Sequence, residues 1–329
     1  MPCYTDGVTP LVLYPDSSSE RTRWIVGRRG PKNAVSADAP YAVLVEDEIG
    51  PDLALWPTAT LFLVNRECPF KCLMCDLWKN TLDDSVLPGA IPGQIERALA
   101  TLPPARAFKL YNSGSFFDPA AIPPEDDAAI AALVRSFERV IVESHTAFLS
   151  GRFRARVLKF AESIRPAKLE IAVGLETAHP DVLKKLNKRM TLEQFRDSSA
   201  FLAENGIALR TFILVRPPFL AEDEALFWAQ RSLDEAHGAG ASFAALIPVR
   251  GGNGAMEALA GAGLWAPPSL ATVEAAQEYG LTVAPGKMRV TVDLWDIERF
   301  VRDPGDEQRI ERFAMRNFIQ SGGAADTLQ

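Results

Sequence analysis

From residue 58 onward, short apolar runs recur along the chain: TATLFLVN (58–65), AFKLYN (107–112), RVIVES (139–144), KLEIAVGLE (168–176), ALRTFILV (208–215) and ASFAALIPV (241–249). Runs of this length, apolar at successive positions and rich in β-branched residues, predict strands buried on both faces. Between them the apolar positions recur with helical spacing. Residues 151–164 place Phe153, Val157, Phe160, Ala161 and Ile164 on one helix face. Residues 191–205 open with Thr191 and Gln194 as a capping box and stop at Gly206. Further helical patterns lie near 91–102, 125–137 and 222–238. Strands alternating with helices predict an α/β fold with parallel pairing and right-handed crossovers. Six such strands suit a partial barrel or an open doubly wound sheet, and the pattern alone does not choose between them.

The flanks are patterned differently. Residues 1–57 are rich in Pro, Asp and Ser with little sustained period, which predicts an N-terminal extension with at most short strands. After GGNG, helical stretches near 255–262 and 268–279, a strand within KMRVTVDLW (287–295) and a last helix near 304–318 predict a C-terminal extension packed on the sheet. The expected organisation is therefore 1–57 extension, 58–250 core, 251–329 extension. No internal repeat or low-complexity segment stands out.

Composition narrows the class. At 329 residues, 47% hydrophobic and 23% charged, the chain has the make-up of a globular protein with room for one large core. No apolar tract reaches the roughly 18 residues that a membrane-spanning helix needs. The first residues lack the basic start and apolar core of a secretory signal, so residence in the cytoplasm is expected. A net charge of -7 gives no global attraction for a polyanion, although GRRGPK (27–32) is locally basic.

Three of the four cysteines, Cys68, Cys72 and Cys75, fall within RECPFKCLMCDLW directly after the first predicted strand. That position puts them in a loop at the strand's C-terminal end, where parallel α/β folds build their sites. Crowded thiols in a chain otherwise sparing with cysteine fit metal ligation better than a disulfide framework. A structural zinc site normally takes four protein ligands; no second C-x2-C is present, and the nearest histidine in sequence is His145. Three thiolates on a 4Fe-4S cluster, by contrast, leave one iron open for chemistry. Incidental buried cysteines and a zinc site completed by His145 remain the alternatives at this stage. Cys3 reads as an incidental thiol.

The C-x3-C-x2-C spacing of CPFKCLMC resembles the radical S-adenosylmethionine (SAM) superfamily, in which the open iron chelates the methionine end of SAM. An electron from the cluster then cleaves SAM to a 5′-deoxyadenosyl radical that abstracts hydrogen. The resemblance implies both cofactors, a 4Fe-4S cluster and S-adenosylmethionine, and an electron donor such as flavodoxin or ferredoxin. It also directs attention to the ends of the later strands. Asn112, Ser113, Gly114 and Ser115 occupy the place of the superfamily's Gly-rich motif that meets the methionine amino group. Glu143 with Ser144, and Glu176 with Thr177, end two strands where a carboxylate can accept from ribose hydroxyls or anchor a substrate amine. Arg216, followed by Pro217 and Pro218, is placed to pair with the cofactor carboxylate, and Arg250, Gly251, Gly252 and Asn253 to lie beside the adenine. Each position also has a plain structural use as a turn, cap or salt bridge. The catalytic group is not legible; the candidates are Glu176 and His145. His145 and His179 each follow a strand carboxylate, as partly exposed histidines or as proton shuttles.

The segments NSGSFFDPAAIP, VIVESHTAF, VGLETAHPDVLKKLNKRMTLEQF and ILVRPPFLAEDEAL look like the radical-SAM lyase subunit of archaeosine biosynthesis and its bacterial relatives, in the same order. That family shares its core with the Elp3, MiaB and NifB type, a partial (β/α)6 barrel. The resemblance, not the periodicity, selects barrel over open sheet. It implies radical cleavage of a carbon–nitrogen bond, in that family on a modified 7-deazaguanine within tRNA. The acidic balance and the lack of a visible RNA-binding module favour a small nucleoside or amino-acid-like substrate here. The rivals are a tRNA-modifying lyase and a non-catalytic metal-binding partner subunit.

Overall fold

The computed structural model describes residues 14–320; Cys3 lies outside them. Eight strands form one sheet: β1 (Ala42–Ile49), β2 (Leu55–Phe62), β3 (Ala107–Tyr111), β4 (Arg139–Glu143), β5 (Lys168–Glu176), β6 (Ala208–Val215), β7 (Phe243–Pro248) and β8 (Arg289–Val292). The helices are α1 (Ser18–Val26), α2 (Ala90–Leu99), α3 (Asp127–Val134), α4 (Phe153–Ser163), α5 (Pro180–Lys185), α6 (Leu192–Glu204), α7 (Glu222–Gly238), α8 (Ala255–Gly261), α9 (Leu270–Val283) and α10 (Asp306–Phe318). All six predicted core strands are present. The strands lie side by side in chain order, β1 antiparallel to β2 and every later pair parallel. A doubly wound sheet reverses its order at a switch point. This one never reverses, so it curls as a partial TIM-type barrel.

The strands read as largely apolar because both faces are buried, with Lys109, Arg139, Glu170 and Arg210 as charged interruptions. Register partners Leu61, Leu110, Val142, Ile171 and Leu209 form a row across β2 to β6 that belongs to the main core. Residues between them face the lumen. At the lumen's lower end Glu48, Lys109, Arg139, Glu170, Arg210 and Arg289 form an ion network, with Arg210 Nε to Glu170 Oε1 at 2.6 Å and Lys109 Nζ to Glu48 Oε2 at 2.5 Å. Above it Phe62, Tyr111 and Phe212 make an aromatic floor; the Tyr111 and Phe212 rings, on non-adjacent strands, stand 6.4 Å apart.

One expectation needs correction. The N-terminal region carries an eight-residue strand, β1, rather than short strands at most. Its acidic run Glu46, Asp47, Glu48 hides the strand in the sequence, yet Glu48 points inward and pairs with Arg210 and Lys109. The predicted strand within 287–295 is β8, and it extends the sheet beyond β7. Its outer edge meets side chains instead of another strand. Asn317 exchanges hydrogen bonds with the Val292 N–H and C=O, both 2.8 Å, and Gln320 does the same at Val290, 3.0 and 2.7 Å.

Candidate cluster and cofactor site

Three braces hold the cysteine loop that follows β2. The buried Gln94 carboxamide accepts from the Val64 N–H and donates to its carbonyl, both at 2.8 Å. Asn187 Nδ2 donates to the Lys71 carbonyl at 2.9 Å, and Asn253 Nδ2 donates to those of Leu73 and Cys75 at 2.8 and 3.2 Å. Leu73 itself is fully buried, in a cluster with Ile25 of α1, Leu186 and Val249. Glu67 takes Arg29 at 2.7 Å, Lys32 at 3.0 Å and Lys71. Burial opposes its charge, but these three cations hold the carboxyl down at about 2. The half-buried thiols of Cys68, Cys72 and Cys75 are each pushed up by burial to about 12 when nothing is bound to them.

The turn after β3 lies directly against this loop. A Cβ on Gly114 would sit 3.4 Å from that of Cys68, so the glycine permits the approach. Asn112 beside it is buried, and both polar atoms of its carboxamide lack a partner. Beneath the turn, Glu143 Oε1 accepts from the N–H groups of Asn112 at 2.7 Å and Gly114 at 3.2 Å. Burial pushes this carboxyl up to about 6 against those hydrogen bonds. Ser113 is left-handed (φ +53°) and its hydroxyl stands 3.5 Å from that of Tyr41 on the segment before β1. Ser115 Oγ accepts from the His145 N–H at 2.9 Å.

Other anticipated residues are committed elsewhere. Arg216 pairs with Glu222 at 2.6 Å and donates to the Pro267 carbonyl at 2.9 Å. Arg250 pairs with Asp293, which follows β8. Gly251 and Gly252 turn above Glu257, whose carboxylate takes the Gly252 N–H. Glu176 is buried and accepts from Lys188 Nζ at 2.6 Å. Ser144 and Thr177 are buried in their turns. His145 is buried rather than partly exposed. Its Nδ1 accepts from the Ala147 N–H, which leaves Nε2 to donate to the Lys188 carbonyl at 2.9 Å, and its ring stacks on Phe70 at 3.8 Å. Burial and the nearby Lys188 charge lower it to about 3, so it stays neutral with both nitrogens used. It is neither a free shuttle nor a spare zinc ligand. His179 caps α5 and packs on Trp228. Lys188 was not anticipated: it sits in the basic run KKLNKR (184–189), which reads as a solvated face, and nothing in that run marks one lysine as buried.

Among the described residues no three His, Cys, Asp or Glu side chains gather as ligands of a single ion. The donor set suits a 4Fe-4S cluster, in which each of three thiolates serves a different iron and the fourth iron stays open. The unpartnered Asn112 carboxamide and the glycine-lined contact with Cys68 leave polar groups beside that loop for a bound group to satisfy.

Fold and cysteine loop together define a class of architecture: a partial TIM-type barrel with N- and C-terminal extensions and a three-cysteine loop after its first parallel strand. Among solved structures, Elp3 of Methanocaldococcus infernus superposes with a TM-score of 0.50 at 12% identity, over 70% of this chain and 59% of that one. More particularly, the chain is similar to the archaeosine synthase subunit beta of Thermococcus kodakarensis, 30% identical over 134 residues (40% of each chain). That of Methanosarcina acetivorans is 26% identical over 171 residues, 50% of this chain and 49% of the relative. An uncharacterised protein of Methanocaldococcus jannaschii is 25% identical over 202 residues, 57% of this chain and 54% of that protein. The chain thus spans about half or less of the length of the curated relatives it matches. No protein-family model matches it.

Proposed function

We propose that this chain is a radical SAM enzyme that abstracts hydrogen from a small nucleoside or amino-acid-like substrate, leading to cleavage or rearrangement at a carbon–nitrogen bond. The observation that carries the reading is the three-cysteine loop at the C-terminal end of β2, packed against the turn at Asn112–Ser115. Cys68, Cys72 and Cys75 would hold a 4Fe-4S cluster, and the Asn112–Ser115 turn would face SAM. Such a cluster, when bound, supplies the electron for reductive cleavage of the sulfonium. Glu143 holds the turn's Asn112 and Gly114 N–H groups from below. Phe62, Tyr111 and Phe212 close the lumen beneath and limit water at the reacting carbon.

Anaerobically reconstituted protein is expected to show a brown 4Fe-4S chromophore and to form 5′-deoxyadenosine with dithionite. Cys72→Ala is expected to lose both. Retention of both by the variant would refute the assignment, and zinc or inert iron without cofactor turnover would support a non-catalytic partner subunit instead. The names of the two archaeosine synthase relatives favour a second reading, a subunit of a tRNA-modifying lyase acting on a modified 7-deazaguanine. The exposed Arg23, Lys184, Lys185 and Arg189 on and beside α1 and α5 are suited to phosphate. A salt-sensitive gel shift with tRNA separates that substrate from a small metabolite.

A further inference from the structure

Three residues with left-handed backbone converge on one ion pair. Glu176 (φ +65°) is a member of the pair, and Asn187 (φ +56°) and Arg189 (φ +58°) flank the other member, Lys188. At the same place β5 slips register against β6 between Gly174 and Glu176, an irregularity that re-aims a side chain. Gly174 leaves the space the pair occupies: a Cβ there would fall 2.1 Å from Glu176 Oε1 and 2.6 Å from Lys188 Nζ. Two further bonds fix the lysine's backbone, from His145 Nε2 to the Lys188 carbonyl and from Asn187 Nδ2 to the Lys71 carbonyl in the cysteine loop. The buried ammonium thus belongs to the residue next to the one bonded to the cysteine loop. A salt bridge needed only for stability would not call for this, since a buried ion pair is often no better than a well-packed apolar pair. Backbone strain gathered at one spot marks function more often than packing.

We infer that Lys188 is a fixed cation beside the cysteine loop that stabilises the negative charge a cluster held there gains on one-electron reduction, with Glu176 keeping the ammonium in place. The inference rests on the cluster reading proposed above. In a low-dielectric interior a neighbouring positive charge favours the reduced form strongly, and local charge is one of the levers on cluster potential. The electron comes from a redox mediator and takes the cluster from the 2+ to the 1+ state; no proton need move. The pair holds two opposing levers. Removing the cation makes reduction harder, and removing its carboxylate partner makes it easier.

The test is a mediated potentiometric titration of the reconstituted full chain, followed by EPR of the reduced cluster with iron content measured alongside. Lys188→Met is expected to lower the midpoint, by about tenfold in the reduction equilibrium, ~59 mV for one electron. Glu176→Gln is expected to raise it, and Lys188→Arg to stay near the parent. The double variant K188M/E176Q removes both levers and is expected to fall between the two single variants, whereas a merely structural pair would not shift those singles in opposite directions. Should K188M fail to load iron, Glu176→Gln decides. A midpoint equal to the parent's in K188M, or in E176Q where K188M does not load, overturns the inference and leaves the cluster reading intact. A parent protein that binds no cluster overturns the cluster reading itself, and this inference with it.

Discussion

Glu143 shows how much one carboxyl does when it is placed under a turn. It accepts from two N–H groups that would otherwise have no partner and so shapes the turn lying on Cys68. Its carboxyl is raised by burial from the ordinary 4.5 to about 6, so the folded state binds a proton there that the unfolded chain has already released. The sign follows: the contribution to stability is complete below about 4.5 and is lost as pH rises through about 6. A shift of that size corresponds to about 2 kcal/mol. Glu143→Gln keeps the accepting oxygen and has no proton to lose. Its melting temperature is therefore expected to gain on the parent between pH 4 and pH 7, as followed by circular dichroism. A gap that stays constant across that range would show that the carboxyl is not under strain. Such a residue was visible in the sequence only as a strand-end acid. Whether it faces a ribose or its own backbone depends on the turn opposite, which no local pattern encodes.

At the scale of elements, the edge of β8 is the informative case. A strand edge left open is a template for pairing with another chain, and here the carboxamides of Asn317 and Gln320 complete the hydrogen bonds of Val292 and Val290. Replacing Asn317 with Leu leaves a buried N–H and C=O unpaired, an expected cost of about 1–3 kcal/mol, with faster hydrogen exchange at the Val292 amide as the local readout. Exchange unchanged from the parent would mean that water serves the edge equally well. The core strands were legible because a strand buried on both faces is apolar at most positions, even with a charged residue such as Lys109 or Glu170 among them. The helix at 192–204 was legible because Thr191 and Gln194 form the capping box their spacing promises. β1 was not: its inward carboxylate reads as a surface charge until the arginine from β6 is seen beside it. The amide caps were illegible for a similar reason, since Asn317 and Gln320 look like ordinary polar residues at a helix end. The cysteine loop stood out from spacing alone, whereas Arg216 and Arg250, anticipated near the cofactor, have partners of their own: Glu222 opens the helix that follows the proline turn, and Asp293 arrives from beyond β8.

Taken whole, the barrel is polar at its lower end, with an aromatic layer above it. The lower end holds Lys109, Arg139, Arg210 and Arg289 against the buried or nearly buried carboxylates Glu170 and Glu48. Burial opposes charge on both acids, but the arginines outweigh it and hold them below the ordinary carboxylate range. Their contribution is thus present above about pH 4.5 and is lost as acid protonates them. Glu170→Ala leaves the guanidinium groups of Arg139 and Arg210 without their shared partner. The expected loss is about 3–5 kcal/mol, read as a lower urea midpoint at neutral pH; a midpoint within error of the parent would show the network to be dispensable.

The sheet's first and last strands are not laced to each other by a ladder. Among the described residues, Arg289 Nη1 donates to the Ile49 carbonyl at 2.9 Å, and α10 packs between β1 and β8. A fully closed cylinder changes its bore only in whole strands. This one is split along its length like a C-shaped spring, with a helix for a wedge, so its girth is tuned by side-chain volume along that wedge, one substitution at a time, with every strand pairing preserved.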